Sequence, residues 1–77
     1  MDARQRDATP PTVVAIWDAV ENVPGRSQAS LARLVGVRRQ AVRQWIISGR
    51  VPAERALAIE RVSGVPRHRL RPDLYPL

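Results

Sequence analysis

The 77-residue chain contains no cysteine and no lysine. Without cysteine, neither a disulfide nor a thiolate metal site can staple the fold. A chain of this size buries only about 60% of its unfolded surface. Its stability must therefore come from a compact helical core, from self-association, or from both. No apolar run approaches the roughly 20 residues that a membrane span needs. The opening segment MDARQRDATPP also lacks the apolar stretch of a secretory signal. A cytoplasmic protein with no membrane partner is the expectation.

The groups that catalysis and metal binding require are equally scarce. His68 is the single histidine, flanked by Arg67 and Arg69, and with no second His or Cys a metal site is not expected. The seven acidic residues are scattered, without the close inward pair of acid–base catalysis. No glycine-rich phosphate loop is present. The chain is expected to be neither an enzyme nor a holder of a cofactor. Aromatics are few: Trp17, Trp45 and Tyr75. Both tryptophans fall on expected core faces, which disfavours an RNA-binding protein that stacks bases on exposed rings.

What the chain does have is arginine. All 13 basic residues are Arg, against seven acidic residues, for a net charge of +6. A small domain this basic points to a polyanionic partner, and nucleic acid is the commonest. A GC-rich genome is one explanation for arginine in place of lysine, but it does not explain the excess of positive charge.

The apolar spacing predicts an all-α chain of four to five short helices, with no room for strands. Residues 1–11 read as a loose, flexible tail ending in Pro10-Pro11. From Thr12, a plausible N-cap, Val13, Ile16, Trp17, Val20 and Val23 recur at helical spacing, and Pro24-Gly25-Arg26 stops that helix. Ser27 caps a second helix, QASLARLV, with Leu31, Ala32 and Val35 inward and Gly36 at its end. A third runs from about Arg38 to Ser48 and stops at Gly49. Val51-Pro52 opens a fourth, carrying Ala56, Leu57, Ile59 and Val62 and ended by Gly64. It is apolar on more than one side, which predicts a place at the centre of the core. RHRL at 67–70 allows one further turn before RPDLYPL leaves as a tail over 72–77.

The third helix has two faces. At about 100° per residue, Ala41, Val42, Trp45 and Ile46 fall in one arc, and Arg39, Gln40, Arg43 and Gln44 in the opposite one. Arg and Gln suit the guanine O6/N7 and adenine N6/N7 edges of the major groove, which admits an α-helix. A solvated polar face would carry the same residue types. The preceding helix shifts the balance. Ala32 allows close crossing, Gly36 allows a sharp turn, and Val37, Val42 and Trp45 set the angle from the core side. That is the physics of a helix-turn-helix whose second helix is the reader.

This segment resembles the helix-turn-helix of Cro-like phage repressors. The longer run from Ser27 to Pro76, with VPAERALAIE and HRLRPDLYP, resembles the YdaS-like or Cro-like regulators of prophages, sometimes described as antitoxins. The resemblance implies a lambda-repressor-like domain over residues 12–71, bacterial or phage-encoded and nucleoid-associated. It also implies roles. Gln28, opening the second helix, would bond a backbone phosphate, with Ser27 and Arg50 as further phosphate contacts, although Arg50 reads equally well as a solvated loop charge. Arg38, Arg39, Gln40, Arg43 and Gln44 would face bases. Where such regulators often carry Ser, Thr or Gln, three of these positions are Arg, favouring a G-containing site and stronger nonspecific phosphate binding. Ile47 is apolar on the polar side, which fits a thymine methyl, a dimer contact or simple exposure.

The expected function is a sequence-specific regulator of transcription, a repressor, that binds a double-stranded DNA operator. The alternative is an antitoxin-type protein that binds a partner toxin and regulates its own promoter. A unit this small reads only a few base pairs, so a homodimer on a two-fold site is expected. Leu70, Leu74, Tyr75 and Leu77 either form its interface or fold back over the core.

Overall fold

The computed structural model describes residues 9–77. Among the described residues five helices follow one another: α1 (Pro11–Asn22), α2 (Gln28–Val35), α3 (Arg39–Ser48), α4 (Ala53–Ser63) and α5 (Arg67–Leu70). No strand occurs among the described residues. Of the expected tail over residues 1–11, residues 1–8 lie outside the described residues, and Pro11 belongs to α1.

Three helices start from a proline. Pro10, Pro52 and Pro66 are the N-caps of α1, α4 and α5, each extended with ψ of 141, 141 and 145°. Their carbonyls open the ladders, accepting from Val13 and Val14, from Arg55 and from Arg69. Thr12 is thus not the N-cap of α1. Pro11 already holds the φ a first helical turn needs, so the helix begins one residue earlier. Val51-Pro52 likewise precedes α4 rather than lying inside it, and Arg38 caps α3 from an extended backbone.

The core draws on every helix. Ala15, Ile16, Ala19, Val20 and Val23 come from the α1 region, Leu31, Ala32 and Val35 from α2, Val42 and Trp45 from α3, and Ile59 from α4. Val51, Val65 and Leu70 close it from the connections and from α5. Helix α4 packs against α1, α2 and α5, as its two-sided apolar pattern predicted, but Leu57 is turned to solvent at 41% exposed. Trp17 departs from expectation too. It is 36% exposed, whereas Trp45 is buried. The buried stripe of α1 runs through Ala15, Ile16, Ala19 and Val20, and the two alanines draw neighbouring helices close. Trp17 lies about 100° around from Ile16, at the edge of that stripe.

Helices α2 and α3 share the most extensive helix contact. Their connection is three residues long. Gly36 sits at φ 86°, where a side chain would strain the backbone, and the N–H groups of Gly36 and Val37 both donate to Ala32 O at 2.9 Å. Ala32 is itself buried, so a larger side chain there would push α3 away.

Polar pairs fix the remaining angles. Asn22 Nδ2 donates to Ser63 O across α1 and α4. Arg69 Nη2 donates to Asp18 Oδ2 at 2.7 Å, tying α5 to α1. Ser63 Oγ donates to Ile59 O and accepts from Val65 N, closing the end of α4. Leu70 is fully buried, so it is unavailable to any dimer interface. Arg71, just after it, is 7% exposed. Its Nε and Nη2 donate to the two carboxylate oxygens of Asp73, and its Nη1 donates to Val51 O. The tail is thereby clamped to the loop that follows α3.

Candidate nucleic-acid interface

The start of α2 is built by local chemistry. Ser27 Oγ accepts from Ser30 N–H at 3.0 Å and donates to Ser30 Oγ at 2.9 Å. The capping hydroxyl is committed inside the protein, and Gln28 beside it is half-buried in the first turn of α2. That turn is the positive end of the helix dipole.

Helix α3 presents its polar arc as its spacing dictates. Val42 and Trp45 are buried and Ala41 and Ile46 half-buried, while Arg39, Gln40, Arg43 and Gln44 are exposed. The first turn of α2 and this face of α3 line one open groove of about 650 Å³: Ser27, Gln28 and Ala29 on one side, Arg39, Gln40, Arg43, Ile46 and Ile47 on the other. Gln28 is thus brought beside Arg39, Gln40 and Arg43. Arg38 and Gln44 are exposed but do not line that groove.

Arg50 is placed elsewhere. It lines a separate concavity of about 370 Å³ with Ser48, Arg71 and Asp73. There its charge helps to hold the Asp73 carboxyl down, after the larger effect of the hydrogen bonds from Arg71.

The electrostatics of the groove are one-signed. Residues 22–53 hold six arginines and no Asp or Glu. Among the described residues no carboxylate pairs with Arg38, Arg39 or Arg43, whereas Arg67, Arg69 and Arg71 each have one. Arg67 and Arg69 of α5 and Arg71 of the tail are thus spent on the fold.

The family model described as "Bacterial toxin YdaS" matches residues 16–77, well over half of the chain. The chain belongs to the YdaS family. No curated protein and no solved structure matches it. Within this YdaS-family chain the match spans all of α2 through α5 and most of α1. It therefore takes in the α2–α3 groove and the Arg71 clamp alike.

One feature was left open by the spacing argument and one escaped it. Ile47 reaches the groove at 65% exposed, among the charged side chains of α3. The Arg71–Asp73 clamp was hidden because its third partner is a backbone carbonyl 20 residues away. The Arg-Pro-Asp spacing was its one visible signal.

Proposed function

We propose that this YdaS-family chain is a sequence-specific regulator of transcription that binds double-stranded DNA, with α3 in the major groove. One observation carries the reading. The exposed Arg39, Gln40 and Arg43 share a groove with Gln28 at the positive end of α2. In this arrangement Gln28 holds a phosphate and sets the register, while the α3 side chains meet base edges. Arg38, at the N-cap of α3, and Gln44, beyond the groove, extend the contact along the same helix. Ser27 acts by holding the first turn of α2 in place. Arg50, facing Asp73, contributes a peripheral phosphate contact at most.

The protein binds as a homodimer on a two-fold site and acts as a repressor in the bacterial cytoplasm. With Leu70 in the core, Leu74 and Leu77 are the exposed apolar side chains of the tail that remain for self-association. Sedimentation of a chain lacking residues 72–77 tests that interface. A truncated protein that is still a dimer rules it out.

The family's description supports a second reading, since it names a toxin, where the resemblance in sequence pointed to an antitoxin. The chain would then belong to a toxin–antitoxin pair and bind its partner. Growth arrest on expression alone, unchanged by Arg39→Ala, would favour a toxin that acts without the α3 face.

Selection of bound duplexes from a random library tests the principal reading. A defined motif supports it, and recovery of unrelated sequences rejects it.

A further inference from the structure

Ile47 has no evident part in the fold. It is 65% exposed and does not belong to the buried cluster, unlike its neighbour Ile46, which packs against that cluster. An isolated exposed apolar side chain on a surface needs no explanation. Ile47, however, is not isolated on an indifferent surface. It lines the same groove as Gln28, Arg39, Gln40 and Arg43. On α3, Gln40, Arg43 and Ile47 fall at i, i+3 and i+7, one stripe along the helix. A stripe of donors ending in a branched hydrocarbon offers two kinds of chemistry in sequence: hydrogen bonds, then an apolar contact.

The major groove of DNA presents one apolar group, the C5-methyl of thymine. The charges of Arg39 and Arg43, which no carboxylate among the described residues neutralises, attract the helix to the polyanion before their side chains reach base edges. Once the helix is seated, Ile47 has a hydrocarbon partner only where a thymine lies opposite it. Opposite cytosine, which lacks that methyl, the side chain is buried against polar edges instead.

We infer that Ile47 is a specificity-determining residue that reads a thymine methyl, at a position about one helical turn along from the base met by Arg43. The inference rests on the proposed DNA-binding reading and adds to it a named chemical group and a named base.

Uracil substitution tests it, because deoxyuridine pairs as thymine does and lacks only the methyl. A duplex selected by the wild-type protein is resynthesised with each thymine replaced singly by deoxyuridine. Wild-type affinity is expected to fall about fourfold at one position, the worth of one buried methyl-sized group, and to change little at the others. Ile47→Ala is expected to bind the thymine and deoxyuridine duplexes alike at that position, and Ile47→Val to retain part of the discrimination. Because Ile47 is mostly exposed, both variants should keep wild-type helix content, which circular dichroism checks. A wild-type protein that binds its duplex specifically but ignores every deoxyuridine overturns the inference and leaves the DNA-binding reading standing. So does an Ile47→Ala protein that keeps the same sensitivity at the same position. If Ile47→Ala weakens binding equally to both duplexes and shifts the sedimentation from dimer to monomer, Ile47 is a contact between copies and the inference is overturned. Failure of the wild-type protein to select any duplex overturns the underlying reading and the inference with it.

Discussion

Arg71 Nη1 donates to the carbonyl oxygen of Val51 at 2.9 Å, joining the end of the chain to the loop that leaves α3. The same guanidinium holds Asp73 through two further bonds of 3.0 and 2.8 Å. A buried guanidinium is tolerated because its charge is paired and its donors are used. Arg71→Ala strands the buried Val51 carbonyl and frees Asp73, whose carboxylate is exposed, from the clamp. It should lower the melting temperature clearly, whereas Arg33→Ala, at an exposed position with no bonded partner among the described residues, should leave it nearly unchanged. Thermal denaturation of the two variants checks the contrast.

Acid should loosen the same clamp. The Arg71 hydrogen bonds hold the Asp73 carboxyl at about 2, below its ordinary value. A lowered folded value gives stability that is present above the unfolded value of about 3.9 and lost as pH falls towards the folded one. Glu60 is lowered as well, chiefly by the backbone N–H of Arg67, and adds to stability with the same sign. Urea midpoints should therefore fall between about pH 4 and pH 2, and Asp73→Asn should flatten part of that fall.

The two tryptophans should respond to very different extents. Trp45→Ala empties a buried site and should cost on the order of 3–5 kcal/mol, enough to threaten a domain of this size. Trp17→Ala, at a position 36% exposed, should cost far less. Iodide quenching of single-tryptophan variants gives a second measure, with Trp17 quenched and Trp45 protected.

The turn before α2 depends on glycine. Gly25 sits at φ 88°, and a methyl group there would strike the Ser30 hydroxyl that Ser27 bonds. Gly36→Ala meets no neighbour within 4 Å, so it should cost only the left-handed backbone strain, roughly 1–2 kcal/mol. Gly25→Ala should cost more, because it disturbs the cap too. Denaturant titration of both variants orders them.

Much of this was legible in the sequence because it is local. Ser27, Gly36 and Gly49 marked helix ends by their own conformational chemistry, and the two arcs of α3 followed from 3.6-residue periodicity. Trp17 was misplaced because periodicity gives a direction around a helix but not the width of the stripe its neighbours cover. Thr12 suits a cap because its side chain competes well for that role, yet Pro11 needs no side-chain cap to begin a helix. The groove that joins Gln28 to Arg39 and Arg43, and the separation of Arg50 from it, depend on the crossing of α2 and α3. Ala32, Gly36 and Val37 signal a close crossing, but spacing along one chain does not say which exposed side chains that crossing brings into one groove. The exposure of Trp17 also removes one of the two aromatics that argue against base stacking, leaving buried Trp45.

Binding to duplex DNA should weaken steeply with salt, with log affinity falling against log salt by about 0.9 per phosphate contact. Gln28→Ala should weaken all duplexes alike, since a phosphate carries no sequence identity. A flat salt profile would show that the arginine face meets no polyanion.

The most direct measurement is the ratio of affinities for a selected duplex and a scrambled one, at physiological salt, for the wild-type protein and for Arg39→Ala. A specific regulator should prefer the selected duplex by roughly 10³ or more. Arg39→Ala should cut that preference about tenfold to a hundredfold, with the loss concentrated at one base position and the fold intact. A wild-type ratio near one, or a ratio that Arg39→Ala leaves unchanged, would contradict base reading by the exposed face of α3.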